Sequence, residues 1–461
     1  MAKYNMTKEK VKMPHLDPNI RNKNFEEVAI GYTLEMAKEE AERCIHCKNS
    51  PCISGCPVGV KIPEFITEIV NNDLEKAYMK ITETNNLPAV CGRVCPQENQ
   101  CEGSCTRGKN GEPVAIGRLE RFVADEHMAK KYSKPVEITS KNIKVAVVGA
   151  GPSGLTCASD LAKCGYNVTI FEAFDVAGGV LMYGIPEFRL PKSIVQEELK
   201  NVIGLGVKFV GNTVIGRTKT VDDLFDEGYK AVYISTGAGL PNFLGIKGEN
   251  YNGVYSANEF LTRINLMKAY KFPEYQTPIK VGKKTLIVGG GNVAMDAARC
   301  AKRLGTDATI IYRRSFDEMP ARKEESAHAI EEGINFLNLH NPVEIIADEN
   351  GNVKEVKVEK MKLGDADESG RRRPIATGEF ETYEFDTVVI AIGQSPNPLI
   401  KDTTKEIQTN KKGCIIIDES TKTTKEAVFA GGDAVTGAAT VILAMGAGKE
   451  AAKNIDKFLC E

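Results

Sequence analysis

Apolar positions along this chain follow one period at the front and another behind it. From Ile62 to Thr84 they recur at helical spacing, with Ile66, Ile69, Val70, Leu74, Ala77 and Ile81 on one side. Thr33 offers an N-cap for a helical run through Arg43, and Glu112 to Glu126 reads as a further helix. Past residue 140 the pattern changes to short continuous apolar runs that end in glycine. Val145–Val148, Tyr229–Gly239, the run from Thr285, Asp386–Pro398 and the run from Ala427 are of this kind. Such runs fit strands buried on both faces. Val353–Gly364 and Phe380–Gly393 alternate like strands, and Arg371, Arg372 and Arg373 between them read as a solvated hairpin loop. The pattern predicts a helical front followed by α/β units.

Two of those strand exits carry recognisable chemistry. After Val148 come Gly149, Gly151, Pro152, Ser153 and Gly154, then a helix, then Gly165-YNVTIFE ending at Glu172. The first glycine permits the turn and the second lets backbone approach a pyrophosphate. The third lets helix and strand pack, and the acid suits a ribose hydroxyl. The second unit repeats the turn with Gly289, Gly291 and Ala294, but its next strand ends in Arg313 and Arg314. Arginines there pair with a 2′-phosphate that an acid would repel, so the second unit reads as an NADPH site. Gly178, Gly179 and Arg189 in GGVLMYGIPEFRLPK suit cofactor contact, with Arg189 a candidate for its phosphate. In Ala427–Ala452, a Gly-Gly-Asp ending at Asp433 follows a strand, where such an acid holds a flavin's ribityl chain and the next helix N-terminus faces its ring system.

Cysteine placement adds a third chemistry. Of 13 cysteines, eight fall between Cys44 and Cys105, as CIHCKNSPCISGCP and CGRVCPQENQCEGSC. Only Cys44 and Cys47 show the Cys-x2-Cys pair expected of zinc, whereas both groups contain the Cys-Pro of ferredoxin-type runs, at Cys56 and Cys95. This favours two [4Fe–4S] clusters over zinc or disulfides, although spacing alone does not pair the ligands. Cys157 and Cys164 sit two turns apart on one predicted helix, too far for a redox disulfide.

With 461 residues the chain can build two or three domains, and a net charge of −2 points to no nucleic acid. The lysine-rich start (Lys3, Lys8, Lys10, Lys12) has no apolar run behind it, and no stretch reaches membrane-span length, so a soluble cytoplasmic protein is expected.

Taken together, CIHCKNSPCISGCP, CGRVCPQENQCEGSC, GAGPSGL, YGIPEFRLP, GGGNVAMD, YRRS, AIGQSPNP and GGDAVTGAATV resemble the glutamate synthase small-chain family over nearly the whole length. That family includes the N-terminal part of dihydropyrimidine dehydrogenase and the large subunit of electron-bifurcating NADH-dependent ferredoxin:NADP oxidoreductase. The resemblance implies a helical iron–sulfur domain (1–135) and an FAD domain in two parts (136–275 and 389–461), interrupted by an inserted NADPH domain (276–388). It also implies that Cys44, Cys47, Cys52 and Cys105 hold one cluster, and that Cys56, Cys95 and Cys101 hold the other with Glu120 as fourth ligand, leaving Cys91 spare. By the same resemblance Gly149, Gly151, Pro152, Ser153, Gly154, Glu172, Gly178, Gly179, Val180, Arg189, Gly237, Gly393, Gly432, Asp433, Ala439, Thr440 and Val441 line FAD. Gly289, Gly291, Asn292, Val293, Ala294, Arg313, Arg314 and Arg322 then face NADPH. The implied activity is electron transfer between NADP(H), FAD and the clusters, with no catalytic side chain. A partner redox subunit is implied too: a small flavin and [2Fe–2S] subunit, with ferredoxin as a further partner, or a large glutamate synthase chain. The texture of LPAVCGRVCPQENQCEG and AIGRLERFVAD is closer to the bifurcating large subunit.

Overall fold

The computed structural model describes residues 5–130, 138–366, 368 and 370–461. Lys3, the middle of the expected linker from Lys130 to Lys141, and the expected boundary at 135/136 lie outside the described residues. Thr33 caps the helix Leu34–Ala41 as expected, its side chain accepting a hydrogen bond from Met36 N. The long helical run breaks into Ile62–Val70 and Leu74–Thr82, because Asn72 turns left-handed and Asp73 caps the second helix through Lys76 N. The helix expected from Glu112 begins only at Ile116 and continues to Lys130.

Behind this helical domain lie two five-stranded parallel sheets. The first runs Val428–Ala430, Tyr229–Ile234, Lys144–Val148, Asn167–Phe171, Lys208–Val210 in spatial order. The second runs Val254–Ser256, Thr387–Ile390, Lys284–Val288, Asp307–Tyr312, Asn335–Asn338. The chain leaves the first sheet through Leu240–Pro241 and returns through Gln394–Ser395, and these two crossings pair antiparallel. The second unit therefore opens earlier than expected: Val254–Ser256 and the helix Ala257–Asn265 precede residue 276, and the strand Thr387–Ile390 straddles the 388/389 boundary. A three-residue strand with no glycine fingerprint leaves little periodic signal, which is why the sequence pattern passes over it. The expected hairpin is present as His340–Ala347, Val353–Ala366 and Arg372–Glu384, a three-stranded antiparallel sheet. The second expected alternating run divides at Phe385 between this sheet and the parallel one.

Packing joins the parts unequally. Ile62, Phe65, Ile66, Leu119 and Phe122 of the helical domain share one apolar core with Val145, Val147, Leu155 and Ile442 of the first unit. The second unit has separate cores on its two sheet faces. Its contact with the front of the chain is instead rich in charge. Glu332 accepts from Arg21, Arg299 and Arg303 within a fully buried cluster, and the Arg303 guanidinium lies 3.8 Å from the centroid of the Phe188 ring. Among the described residues no helix is long and apolar enough to cross a membrane.

Candidate functional site: two nucleotide cradles and two thiol groups

The three glycines of the first turn have three separate jobs. Gly149 has φ +101°, and a Cβ there would meet Ser235 O at 2.5 Å. A Cβ on Gly151 would meet nothing within 4 Å, so this position faces open space. A Cβ on Gly154 would overlap the Gly149 carbonyl oxygen. Glu172 ends the neighbouring strand buried, accepting Ala150 N at 2.7 Å and Phe174 N at 3.1 Å. Gly178 N donates to Ala150 O, and a Cβ on Gly179 (φ +53°) would press on Gly151 Cα at 2.9 Å. Val180 then begins the short helix Val180–Tyr183. From the far end of the sheet, Gly432 approaches Ser153, Thr440 caps the helix beginning at Val441, and Asp433 stands between them. Ala439 is exposed at this edge, and its backbone N–H bonds to Asp433. Asp433 Oδ1 is buried without a hydrogen-bond partner, and burial pushes its carboxyl up to about 6. An orphaned acceptor at the edge of an open backbone cradle fits a hydroxylated dinucleotide such as FAD. Gly237 (φ +69°) follows the strand Tyr229–Ile234 and also faces open space.

The second turn repeats the plan. A Cβ on Gly289 would overlap the Ala391 carbonyl oxygen, one on Gly291 would meet nothing within 4 Å, and Ala294 is fully buried. Asn292 begins the helix, with Val293 exposed beside it. Past Tyr312, Arg313 is exposed, and Arg314 Nε donates to Arg372 O at 2.9 Å. The hairpin brings more cations here: Arg371 Nη2 donates to Tyr312 Oη at 3.0 Å, and Arg372 Nε donates to Glu318 Oε1 at 2.6 Å. The arginines read as a solvated loop thus lie beside the strand end that carries Arg313. They are 58 or more residues away along the chain, so only the sheet pairing brings them there.

Two expected contacts go elsewhere. Arg189 is buried, and Asp296 (2.7 Å) and Glu325 (3.0 Å) of the second unit take up its guanidinium. Arg322 donates its backbone N–H to Asn292 Oδ1, but its side chain pairs with Glu98 at 3.2 Å and Gln97 at 3.0 Å of the helical domain. Gly393 lies at the antiparallel crossing, where its carbonyl accepts from Asn242 N.

The cysteines fall into two neighbourhoods. Cys44, Cys47, Cys52 and Cys105 are neighbours: burial first, and then Cys105 and Cys47, push the Cys44 thiol up, and burial with Cys44, Cys105 and Cys47 pushes Cys52 up to about 12. Cys56, Cys95 and Cys101 are mutual neighbours with Glu120, and Cys91 borders the same group. Backbone groups at Val58 and Val60 hydrogen-bond Cys56, and His46 does so for Cys44. To present these loops, His46 and Ser50 adopt left-handed φ angles of 47° and 39°. Glu120 is buried, its carboxyl raised to about 7 by burial, and it accepts from Asn85 Nδ2 at 2.6 Å. Among the described residues no three cysteine sulfurs lie within 4.8 Å of one another. Thiols gathered on loops whose backbone hydrogen-bonds them supply the donor chemistry that iron–sulfur clusters take. The first group is half-buried; Cys91, Cys95 and Cys101 of the second are buried.

Comparison with known proteins bears on both halves. Residues 21–132 match the dihydropyrimidine dehydrogenase domain II, 4Fe-4S cluster family, and residues 143–448 match the pyridine nucleotide-disulphide oxidoreductase family. The chain is 40% identical over 438 residues to the NADP(+)-dependent formate dehydrogenase subunit beta of Moorella thermoacetica, covering 89% of this chain and 60% of that relative. It is 34% identical to the Glutamate synthase [NADPH] small chain of Escherichia coli K12, covering 98% of this chain and 97% of the relative. Among solved structures, Mycobacterium tuberculosis FprA in complex with NADPH aligns with a TM-score of 0.57 at 20% identity, over 69% of this chain and 85% of FprA. T. acidophilum thioredoxin reductase aligns with a TM-score of 0.51 at 22% identity, over 69% of this chain and 98% of that one. Both show a shared fold.

Proposed function

The chain belongs to the glutamate synthase small-chain family of NAD(P)H-dependent flavin and iron–sulfur oxidoreductase subunits, and from that premise we propose how its sites divide the work. The first cradle holds FAD through Gly149, Gly151, Glu172, Gly179 and Asp433. The second holds NADPH through Gly291, Asn292, Arg313 and Arg314. Cys56, Cys95, Cys101 and Glu120 hold a buried [4Fe–4S] cluster, and Cys44, Cys47, Cys52 and Cys105 hold one nearer the surface. When bound, these groups supply the conversion of a two-electron hydride into single electrons. The protein contributes orientation and exclusion of water. Its open positions at Gly151 and Gly291 admit phosphates against backbone N–H groups, and the apolar core shared by the helical domain and the first unit holds flavin and clusters in one rigid body.

The observation that carries this reading is the pairing of two open cradles with two separate thiol neighbourhoods, one half-buried and one buried except at Cys56. That gradation suits electrons moving between the flavin and an external partner. We assign the chain as the large subunit of a bifurcating ferredoxin:NADP oxidoreductase, working with a small flavin and [2Fe–2S] subunit and ferredoxin. A second reading is the NADPH-oxidising small chain of glutamate synthase, favoured by coverage of 97% of the E. coli small chain. Anaerobic purification from the native cell distinguishes them. A co-purifying small flavin and [2Fe–2S] subunit is the expected result, and a large glutamine-hydrolysing FMN chain would overturn it.

A further inference from the structure

We propose that His15, Glu324 and His328 form a binding site for one divalent transition metal of the zinc type, linking the N-terminal arm to the NADPH unit. One ligand-type atom from each residue lies within 4.8 Å of the other two, and no other such trio occurs among the described residues. Glu324 and His328 are four apart on the helix Lys323–Glu331, which puts them on one face. His15 comes from a segment 309 residues earlier and is fixed by its backbone: Leu16 N donates to Val28 O, and Ile30 N donates to Pro14 O, around the His15–Ala29 bridge. The site is therefore held from both sides before any metal arrives.

Its donors also need a partner. His15 Nε2 is buried with no hydrogen bond, and the nearest acid oxygen, Glu324 Oε1, is 3.8 Å away. Shared coordination at bonds of about 2.0–2.1 Å would bring that pair to about 3.3 Å, a movement of about half an ångström. Charge around the site leans positive, with Arg21, Arg118, Arg189, Arg299, Arg303 and Arg322 facing Glu324, Glu325, Glu331 and Glu332. Arg118 reaches Glu324 Oε1 only at 3.6 Å, so the ion would compete with the weakest of these contacts. A cavity of about 400 Å³ lined by Glu324 and His328 supplies an entry path and room for a water as fourth ligand. Two histidines, one carboxylate and water form a donor set that zinc accepts.

The test uses the complete chain with FAD and clusters in place, in anaerobic equilibrium dialysis against zinc with metal analysis of zinc and iron. One zinc per chain at micromolar affinity or better is expected, with iron unchanged. His15→Gln and His328→Gln, each checked for full flavin content, should bind on the order of a hundredfold more weakly. Zinc should also slow hydrogen–deuterium exchange of residues 10–30 in the parent and not in either variant. Equal zinc affinity in parent and variants, no stoichiometric zinc in the parent, or iron released as zinc enters would each overturn the proposal.

Discussion

The two nucleotide units share a turn and differ in what surrounds it. In the first, the strand after the turn ends in buried Glu172, and the wall is completed by Gly179, Gly432 and an unpartnered Asp433. In the second, it ends in exposed Arg313, with Arg314, Arg371 and Arg372 close by. The first unit is continuous in core with the helical domain; the second meets the front of the chain through Val28 and Phe25 and through buried ion pairs around Glu332. The contrast teaches that the same strand–turn–helix can build a resident-cofactor site or an exchangeable-substrate site. An unpartnered buried carboxylate oxygen suits a ribityl hydroxyl, whereas a cationic rim suits a phosphate.

The largest effect should come from the packing glycine. Gly154→Val places a side chain against the Gly149 carbonyl and Ser235, and should destabilise the chain by about 3 kcal/mol or more, read as loss of soluble protein or a lower Tm. Gly151→Ala and Gly291→Ala sharpen the contrast, because their Cβ atoms enter open cradles and spare the fold. The first should purify colourless of flavin yet folded. The second should keep its flavin and raise the NADPH KM on the order of tenfold to a hundredfold, measured by steady-state diaphorase assay. If both lost flavin equally, the division of roles between the units would fall.

Next in size, Arg313→Ala with Arg314→Ala should weaken NADPH by about 1.5–3 kcal/mol, roughly tenfold or more, and leave NADH nearly unchanged. Equal losses for the two nucleotides would break the 2′-phosphate assignment. The smallest effect concerns Asp433 in the flavin-free chain. Its carboxyl is raised in the fold to about 6, so its contribution to stability is full below the ordinary aspartate value and is lost as pH rises through about 6. Asp433→Asn should therefore stabilise the flavin-free chain above pH 6 by about 1–2 kcal/mol, after allowance for solvent reaching the group, while weakening FAD binding. Urea unfolding at pH 5 and pH 8 checks the slope.

Much of the site could be read from local chemistry. Gly149, Gly151, Gly154, Glu172, Gly289 and Gly291 signal themselves because a tight turn, a close backbone approach and a helix start each demand particular residues at fixed offsets. The cysteine-rich front and its helices were legible for the same reason, down to the Thr33 cap. The ion pairs of Arg189 and Arg322 were not, because Asp296, Glu325 and Glu98 come from distant parts of the chain.

By itself, then, the sequence determined the fold class, the two dinucleotide turns, the family and the cysteine-rich character of the front. These rest on interactions within about thirty residues, where spacing translates directly into geometry. Tertiary structure alone decided that Val254–Ser256 joins the second sheet and that Arg371 and Arg372 approach the strand end carrying Arg313. It alone brought His15 to Glu324 and His328. Those facts depend on contacts between segments tens to hundreds of residues apart. The partner of such a contact is set by how whole layers pack, and no local pattern records it.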